Sequence, residues 1–372
     1  MPLLSEITTF FERFAPRSLA EDWDNVGLLV GDRQRPVQGV LTCLTLTPDV
    51  AQEAISRQAQ LIVAHHPIMF RAIKQITSDT SEGRMLLDLI AAGVAVYSPH
   101  TSYDSAKTGI NQQLAELLDL TDVEPLRRFR DRPDFKIVCF VPQSHLTAVQ
   151  EAIWAVGAGT IGEYVRCSFV VDGVGTFHGS ANSRPAIGQA QQFESVAEAR
   201  VEILCPQRLL PAALRSLKSA HPYEEPACDV YPLEPRESTL GSGRMGVWNP
   251  HGTTAPASLS DFLALTKSRL GLPVLPFVGD PARPVQRVAI ACGAGGEFLS
   301  TAIQRGCDVL LTGEARFHAA LEARTAGIGL VLAGHYATER PAMERMASLL
   351  AGEFPDLRVW ASELERDPIQ WS

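Results

Sequence analysis

The chain lacks the features that would tie it to nucleic acid, a membrane or a disulfide framework. Basic residues are in the minority: 33 Lys and Arg stand against 42 Asp and Glu, a formal charge of −9. Binding a phosphate backbone needs clustered Lys and Arg, so general nucleic-acid binding is not expected. No apolar run approaches the ~20 residues of a membrane-spanning helix. The opening segment, MPLLSEITTFFERF, places acids where a secretion signal carries basic residues, so secretion is not expected. The 7 cysteines are odd in number and show no Cys-x-x-Cys spacing, and several sit in apolar runs. That usage fits buried free thiols in a reducing, cytoplasmic setting and argues against a zinc–thiolate site.

What is present is a chain of 372 residues, 45% apolar, long enough for two or three cores. Leu4, Ile7, Phe10, Phe11 and Phe14 fall at helical spacing, and Pro16 ends that helix. Strands are then predicted at 37–46, 61–64 and 94–97, with helices at 49–58 and 82–92. The rhythm returns at 285–291, 308–311 and 328–332, with helices at 297–305 and 315–325. Strands alternating with helices predict βαβ units and a mostly parallel, covered sheet. Val37-Gln38 aligns with Val285-Gln286, and under the same offset LIVAHHP at 61–67 falls on VLLTGEA at 309–315. With a shorter second loop, HTSYD at 100–104 falls on HYATE at 335–339. We read this as an internal duplication, two βαβαβ halves forming one α/β core. Between them a different order, β-α-β-β-α-β, predicts a ferredoxin-like α+β insertion, with strands at 135–141, 164–171, 173–179, one ending at 204, and one around 228–231. Polar joints RRFRDRP at 127–133 and EPRESTLGSG at 234–243 set the expected divisions at 1–127, 128–241 and 242–372.

A few of the 9 histidines stand out by position, together with a pair of carboxylates. His65 and His66 directly follow a predicted strand, and His335 follows another, with Glu339 four residues on. His100 follows a third strand and has Asp104 four residues on. Ligands of open parallel sheets bind at the carboxyl ends of strands, so these groups are expected on one edge of one sheet. His, Asp and Glu without Cys form the ligand set of zinc, manganese or iron. Adjacent histidines leaving a strand diverge, so His65 and His66 are expected to serve different ions. Adding Asp104, His335 and a bridging Glu339 gives two metals with three protein ligands each. Such a pair activates water for attack on a carbonyl or phosphoryl centre. Hydrogen-bonding or capping roles are the alternative for any one of these histidines. Glu314 reads equally as an acid or base beside the metals or as an acid favouring a helix N-terminus.

Other motifs carry less. GAGTIG at 157–162 has the letters of a dinucleotide loop, but follows a helix and leads into a strand, the reverse of what that chemistry needs. Cys292-Gly-Ala-Gly-Gly296 follows a strand and precedes a helix. It reads as a tight turn or as backbone N–H groups offered to an anion. The HPYEEP segment at 221–226 reads as a solvated turn or a separate ligand site. EDWDNVG at 21–27 reads as a turn or as a wall of the metal cleft.

Taken together, EDWDNVGL at 21–28, AHHP at 64–67, HTSYD at 100–104, Gly313-Glu314 and GHYATE at 334–339 resemble the Nif-three-like family, whose members are also named GTP cyclohydrolase type-two homologues. The region between the halves resembles the PII/CutA-like domain of the longer bacterial members. The resemblance implies a dinuclear metal centre on His65, His66, Asp104, His335 and a bridging Glu339, with His100 as a neighbour. It also implies a homohexamer with the metal sites facing an inner cavity. Two functions are then expected as alternatives. One is a metal-dependent hydrolase, with a metal-bridging hydroxide attacking a nucleotide-like substrate while Glu314 or His100 moves protons. The other is a metal-binding regulatory or scaffold protein whose inserted domain senses a ligand.

Overall fold

The computed structural model describes residues 1–70, 73–130, 134–234, 237–250, 252 and 256–370. Two compact units form: Met1–Phe129 with Thr239–Ser372, and Arg130–Ser238. Parts of both expected joints, 131–133 and 235–236, lie outside the described residues.

The first unit holds two large sheets where one was expected. The five-stranded sheet runs Gly27–Val30, Ala95–Ser98, Leu61–Ala64, Gly39–Cys43, Arg358–Ala361 from edge to edge. Its last four strands are parallel and its first is antiparallel. The six-stranded sheet runs Phe277–Val278, Gly329–Leu332, Val309–Thr312, Arg287–Ala291, Arg244–Val247, Thr121–Glu124. Here only the pairs among residues 287–332 are parallel. The core is therefore mixed α/β, and its sheets are mixed in orientation. Each half also lends a strand to the other's sheet: Thr121–Glu124 joins the second and Arg358–Ala361 the first. Periodicity reports which residues are buried, not which strand they pair with, so this exchange is not visible in the pattern.

The parallel strands read as continuous apolar runs because both faces are covered. Alternate residues point to opposite sides. Leu61, Val63 and Tyr97 pack with Ile7 and Phe11 of the helix Leu4–Phe14 and with Met343 and Met346 of Pro341–Glu353, while Ile62, Ala64 and Val96 meet Val50, Ala54, Met85 and Leu89 on the far side. The second sheet is covered likewise, by Leu259 and Phe262 on one face and by Leu299, Ala302 and Ala323 on the other. The expected strand at 285–291 is split into Pro284–Val285 and Arg287–Ala291.

The second unit is a four-stranded antiparallel sheet, ordered Cys228–Pro232, Asp134–Pro142, Phe193–Pro206, Phe169–His178. Helices Leu146–Trp154 and Leu210–Ala220 cover one face through Val149, Ile153, Ala213 and Leu217. The two strands expected at 164–171 and 173–179 are one strand, because Gly173 continues the ladder opposite Glu198 instead of breaking it.

Candidate metal centre

The two sheets of the first unit bring their strand ends together, and the candidate residues come from both. His65 and His66 leave the strand Leu61–Ala64 in a bend, held by His65 N–H donating to Cys43 O (2.9 Å) and His66 N–H to Leu44 O (2.8 Å). That bend keeps their rings together: the centroids lie 5.1 Å apart instead of diverging. The short helix His100–Ser105 follows the strand Ala95–Ser98 of the first sheet, and the short helix His335–Glu339 follows the strand Gly329–Leu332 of the second. Both short helices put a histidine and a carboxylate four residues apart on one face.

Glu339 is the hub. Its Oε2 lies 3.1 Å from His66 Nε2, 3.2 Å from His335 Nε2 and 4.0 Å from His65 Nε2. Asp104 Oδ1 lies 3.4 Å from His65 Nε2. One ligand-type atom each of His66, His335 and Glu339 falls within 4.8 Å of the others, as does one each of His65, His66 and His100. Three of the histidines are oriented through Nδ1: His66 by Thr45 Oγ1 (2.8 Å), His335 by Glu314 Oε1 (2.9 Å) and His100 by Asp24 Oδ1 (2.7 Å). A partner on one ring nitrogen fixes the ring and aims the other, the arrangement that serves metal-ligating histidines. Glu314 thus contacts a candidate ligand, and His100 stands beside His65 with ring centroids 5.3 Å apart.

The electrostatics of the cluster suit a cation. Burial pushes the His65 imidazole well below its ordinary range, keeping it neutral with a lone pair available. Burial, reinforced by the charge of Glu339, lifts Asp104 to about 8. Burial would raise Glu339 too, but hydrogen bonds from His335 and His66 overcome it and hold the carboxyl low. The bond to Glu339 lifts His335 to about 9. Both ring nitrogens of His65 and Oδ1 of Asp104 are buried with no hydrogen-bond partner among the described residues. Orphaned buried polar atoms are costly, and coordination to cations would relieve that cost. The donor set of imidazoles and carboxylates fits zinc, iron or manganese.

Asp24, Thr45, Asn111 and Gly293 contribute to the site but were not identified as site residues from the sequence. Asp24, with its side chain fully buried, accepts from His100, from Thr101 N–H (3.1 Å), from Thr101 Oγ1 and from Asn25 N–H (2.7 Å). Only the EDWDNVG segment, read as a turn or cleft wall, pointed to it. Gly293, in the turn read as a possible anion cradle, approaches the hub instead: a Cβ there would lie 2.1 Å from Glu339 Oε1, at a backbone φ of +60°. Asn111 ties this turn to the first half, accepting from Cys292 N–H (2.9 Å) and donating to Asp104 O (3.1 Å). The segment at 221–226 belongs to the second unit, where His221 Nε2 lies 3.0 Å from Phe140 O.

Fold and site together define an α/β protein with a partly buried histidine–carboxylate cluster between two sheets. The family model for Duf34/NIF3 (NGG1p interacting factor 3) matches residues 2–368. The chain is 35% identical over 366 residues to the GTP cyclohydrolase 1 type 2 homolog of Halalkalibacterium halodurans, covering 98% of this chain and 97% of that one. It is 33% identical over 367 residues to the homolog of the same name in Bacillus subtilis, covering 98% and 97%. Among solved structures, a Bacillus cereus protein related to NIF3 matches with a TM-score of 0.72 at 33% identity, over 100% of this chain and 99% of that one. Staphylococcus aureus protein SA1388 matches with a TM-score of 0.83 at 28% identity, over 100% and 99%. The chain belongs to the Duf34/NIF3 family.

Proposed function

We propose that this protein binds two divalent metal ions and uses them to hydrolyse a nucleotide-like substrate. The observation that carries the reading is the convergence of His65, His66 and His335 on Glu339 Oε2, beside Asp104 Oδ1, which accepts no hydrogen bond among the described residues. His66 and His335 would hold one ion and His65 and Asp104 the other, with Glu339 shared. Bound there, divalent metals supply Lewis acidity and lower the pKa of coordinated water. The residues around them have separate tasks. Thr45 and Glu314 orient two imidazoles through Nδ1 so that their Nε2 atoms face the hub, and Asp24 holds His100 where it could exchange a proton at the cleft. The nucleotide-like substrate rests on the relatives' names and on the family resemblance.

The duplicated origin of the core, the ferredoxin-like, PII/CutA-like nature of residues 128–241, the homohexamer and the cytoplasmic setting belong to the same proposal. The test is hydrolysis by metal-loaded protein across GTP and a panel of phosphoesters. Turnover that disappears in His65→Ala and Glu339→Gln supports the reading. Metal-replete protein that hydrolyses none of them contradicts it.

One observation favours the regulatory alternative. The second unit contains a cavity of about 820 Å³ lined by Phe140, Val171, Phe177, Glu198 and Tyr223, a size that accommodates a small molecule. Under that reading a ligand in this cavity changes partner capture while metal stays bound.

A further inference from the structure

Two aromatic side chains are left in water at the rim of the metal cluster. Trp23 is 60% exposed and Phe70 is 53% exposed. Their ring centroids lie 5.6 Å apart, and they stand 6.0 and 6.4 Å from the His100 ring. His100 in turn lies 5.3 Å from His65 and 5.7 Å from His66, so one imidazole separates the exposed pair from the candidate ligands.

The segment that carries Trp23 is held on both sides of that residue. Asn25 Nδ2 donates to Met69 O (2.8 Å), linking the segment that carries Trp23 to the one that carries Phe70. Glu21 N–H donates to Thr101 Oγ1 (3.0 Å), and Asp24 holds both His100 and Thr101. A turn fastened this firmly presents Trp23 outward at a fixed place, although burying that ring would be favourable.

We propose that the substrate's planar heteroaromatic ring stacks on the face of Trp23 as its platform, with Phe70, tilted 59° to that face, set against its edge. The inference rests on the hydrolase reading and adds the part of the substrate that is recognised: a nucleobase-type ring, read by its face. Every base offers a π-face to an indole, and stacking orients the ring without a dedicated charged pocket. A ring seated there lies across His100 from the metal ligands.

The experiment titrates guanosine into the full-length protein by equilibrium dialysis, with ribose as the control lacking a ring. Saturable guanosine binding that ribose does not compete is expected. Trp23→Ala should weaken it by about 5- to 150-fold, the range of base–aromatic stacking. Trp23→Phe, which keeps a π-face, should retain most of it, and metal content should be unchanged in both variants. Absence of saturable binding, or equal binding by Trp23→Ala, overturns the platform. So does a change of oligomer size alone in Trp23→Ala, which would mean that a second copy covers the rings. Metal content and turnover measured on the same samples keep the readings apart: inactive protein that still binds guanosine through Trp23 defeats the hydrolase and not the platform.

Discussion

Replacing Asp24 by asparagine tests whether the cluster's surroundings are built as described. The carboxylate accepts hydrogen bonds from the His100 ring, from the backbone and hydroxyl of Thr101 and from Asn25 N–H, with its side chain fully buried. Asparagine keeps the shape but offers an N–H where one of these donors points. Hydrogen bonds to a charged group contribute about 1.5–3 kcal/mol each, and breaking a buried pair costs about 3–5 kcal/mol, so a loss of roughly 3 kcal/mol is expected. In a large unit that lowers the melting temperature by roughly 5–10 °C. The pH dependence has a definite sign. Burial opposes the charge on both groups, but the Asp24 bond raises His100 above its ordinary 6.5, and the bonds from His100 and Thr101 lower Asp24 below its ordinary 3.8. The histidine's contribution is full below 6.5 and lost as pH rises through its folded value. The aspartate's is full above 3.8 and lost as pH falls through its own. Between those values the wild type should gain most over Asp24→Asn. Thermal melts of chelator-treated protein, with ¹H–¹⁵N imidazole spectra of His100, make the measurement. An unchanged melting temperature together with an unchanged His100 titration would refute the reasoning.

Further outcomes follow from the same geometry. Gly293→Ala changes no ligand, yet its Cβ would meet Glu339 Oε1 at 2.1 Å and His335 Nε2 at 3.1 Å. Metal content should fall, and full occupancy by elemental analysis would contradict the close approach. Metal uptake near neutral pH should release protons, because burial with the Glu339 charge lifts Asp104 to about 8 and the Glu339 bond lifts His335 to about 9. Calorimetry in buffers of different ionisation enthalpy reads this directly, and binding without proton release would count against it. Glu53→Ala should destabilise the C-terminal segment by about 3 kcal/mol, since Ser362 Oγ, Trp360 Nε1 and the Glu363 and Leu364 N–H groups all donate to this buried carboxylate. Urea unfolding that matches the wild type would contradict that network.

The parts of the fold that were legible in the sequence are those that bury one face locally. The strand Leu61–Ala64 and the helix Leu4–Phe14 follow from their own apolar spacing. The helices His100–Ser105 and His335–Glu339 are too short for periodicity to mark, although their His-x-x-x-carboxylate spacing was visible. The exchange of Thr121–Glu124 and Arg358–Ala361 between sheets is a long-range choice of partner that no local pattern encodes. Asp24 stayed hidden because Asp, Asn and Gly in sequence are also what an ordinary turn requires. Gly293 stayed hidden because the neighbour it makes room for, Glu339, is remote in sequence.

Metal content of the full-length protein, purified without chelators, bears most directly on the candidate centre. About two divalent transition-metal ions per chain are expected in the wild type, with one lost in His66→Ala and both in Glu339→Ala. Protein that carries no metal, or variants that keep the wild-type amount, would contradict the assignment of this cluster.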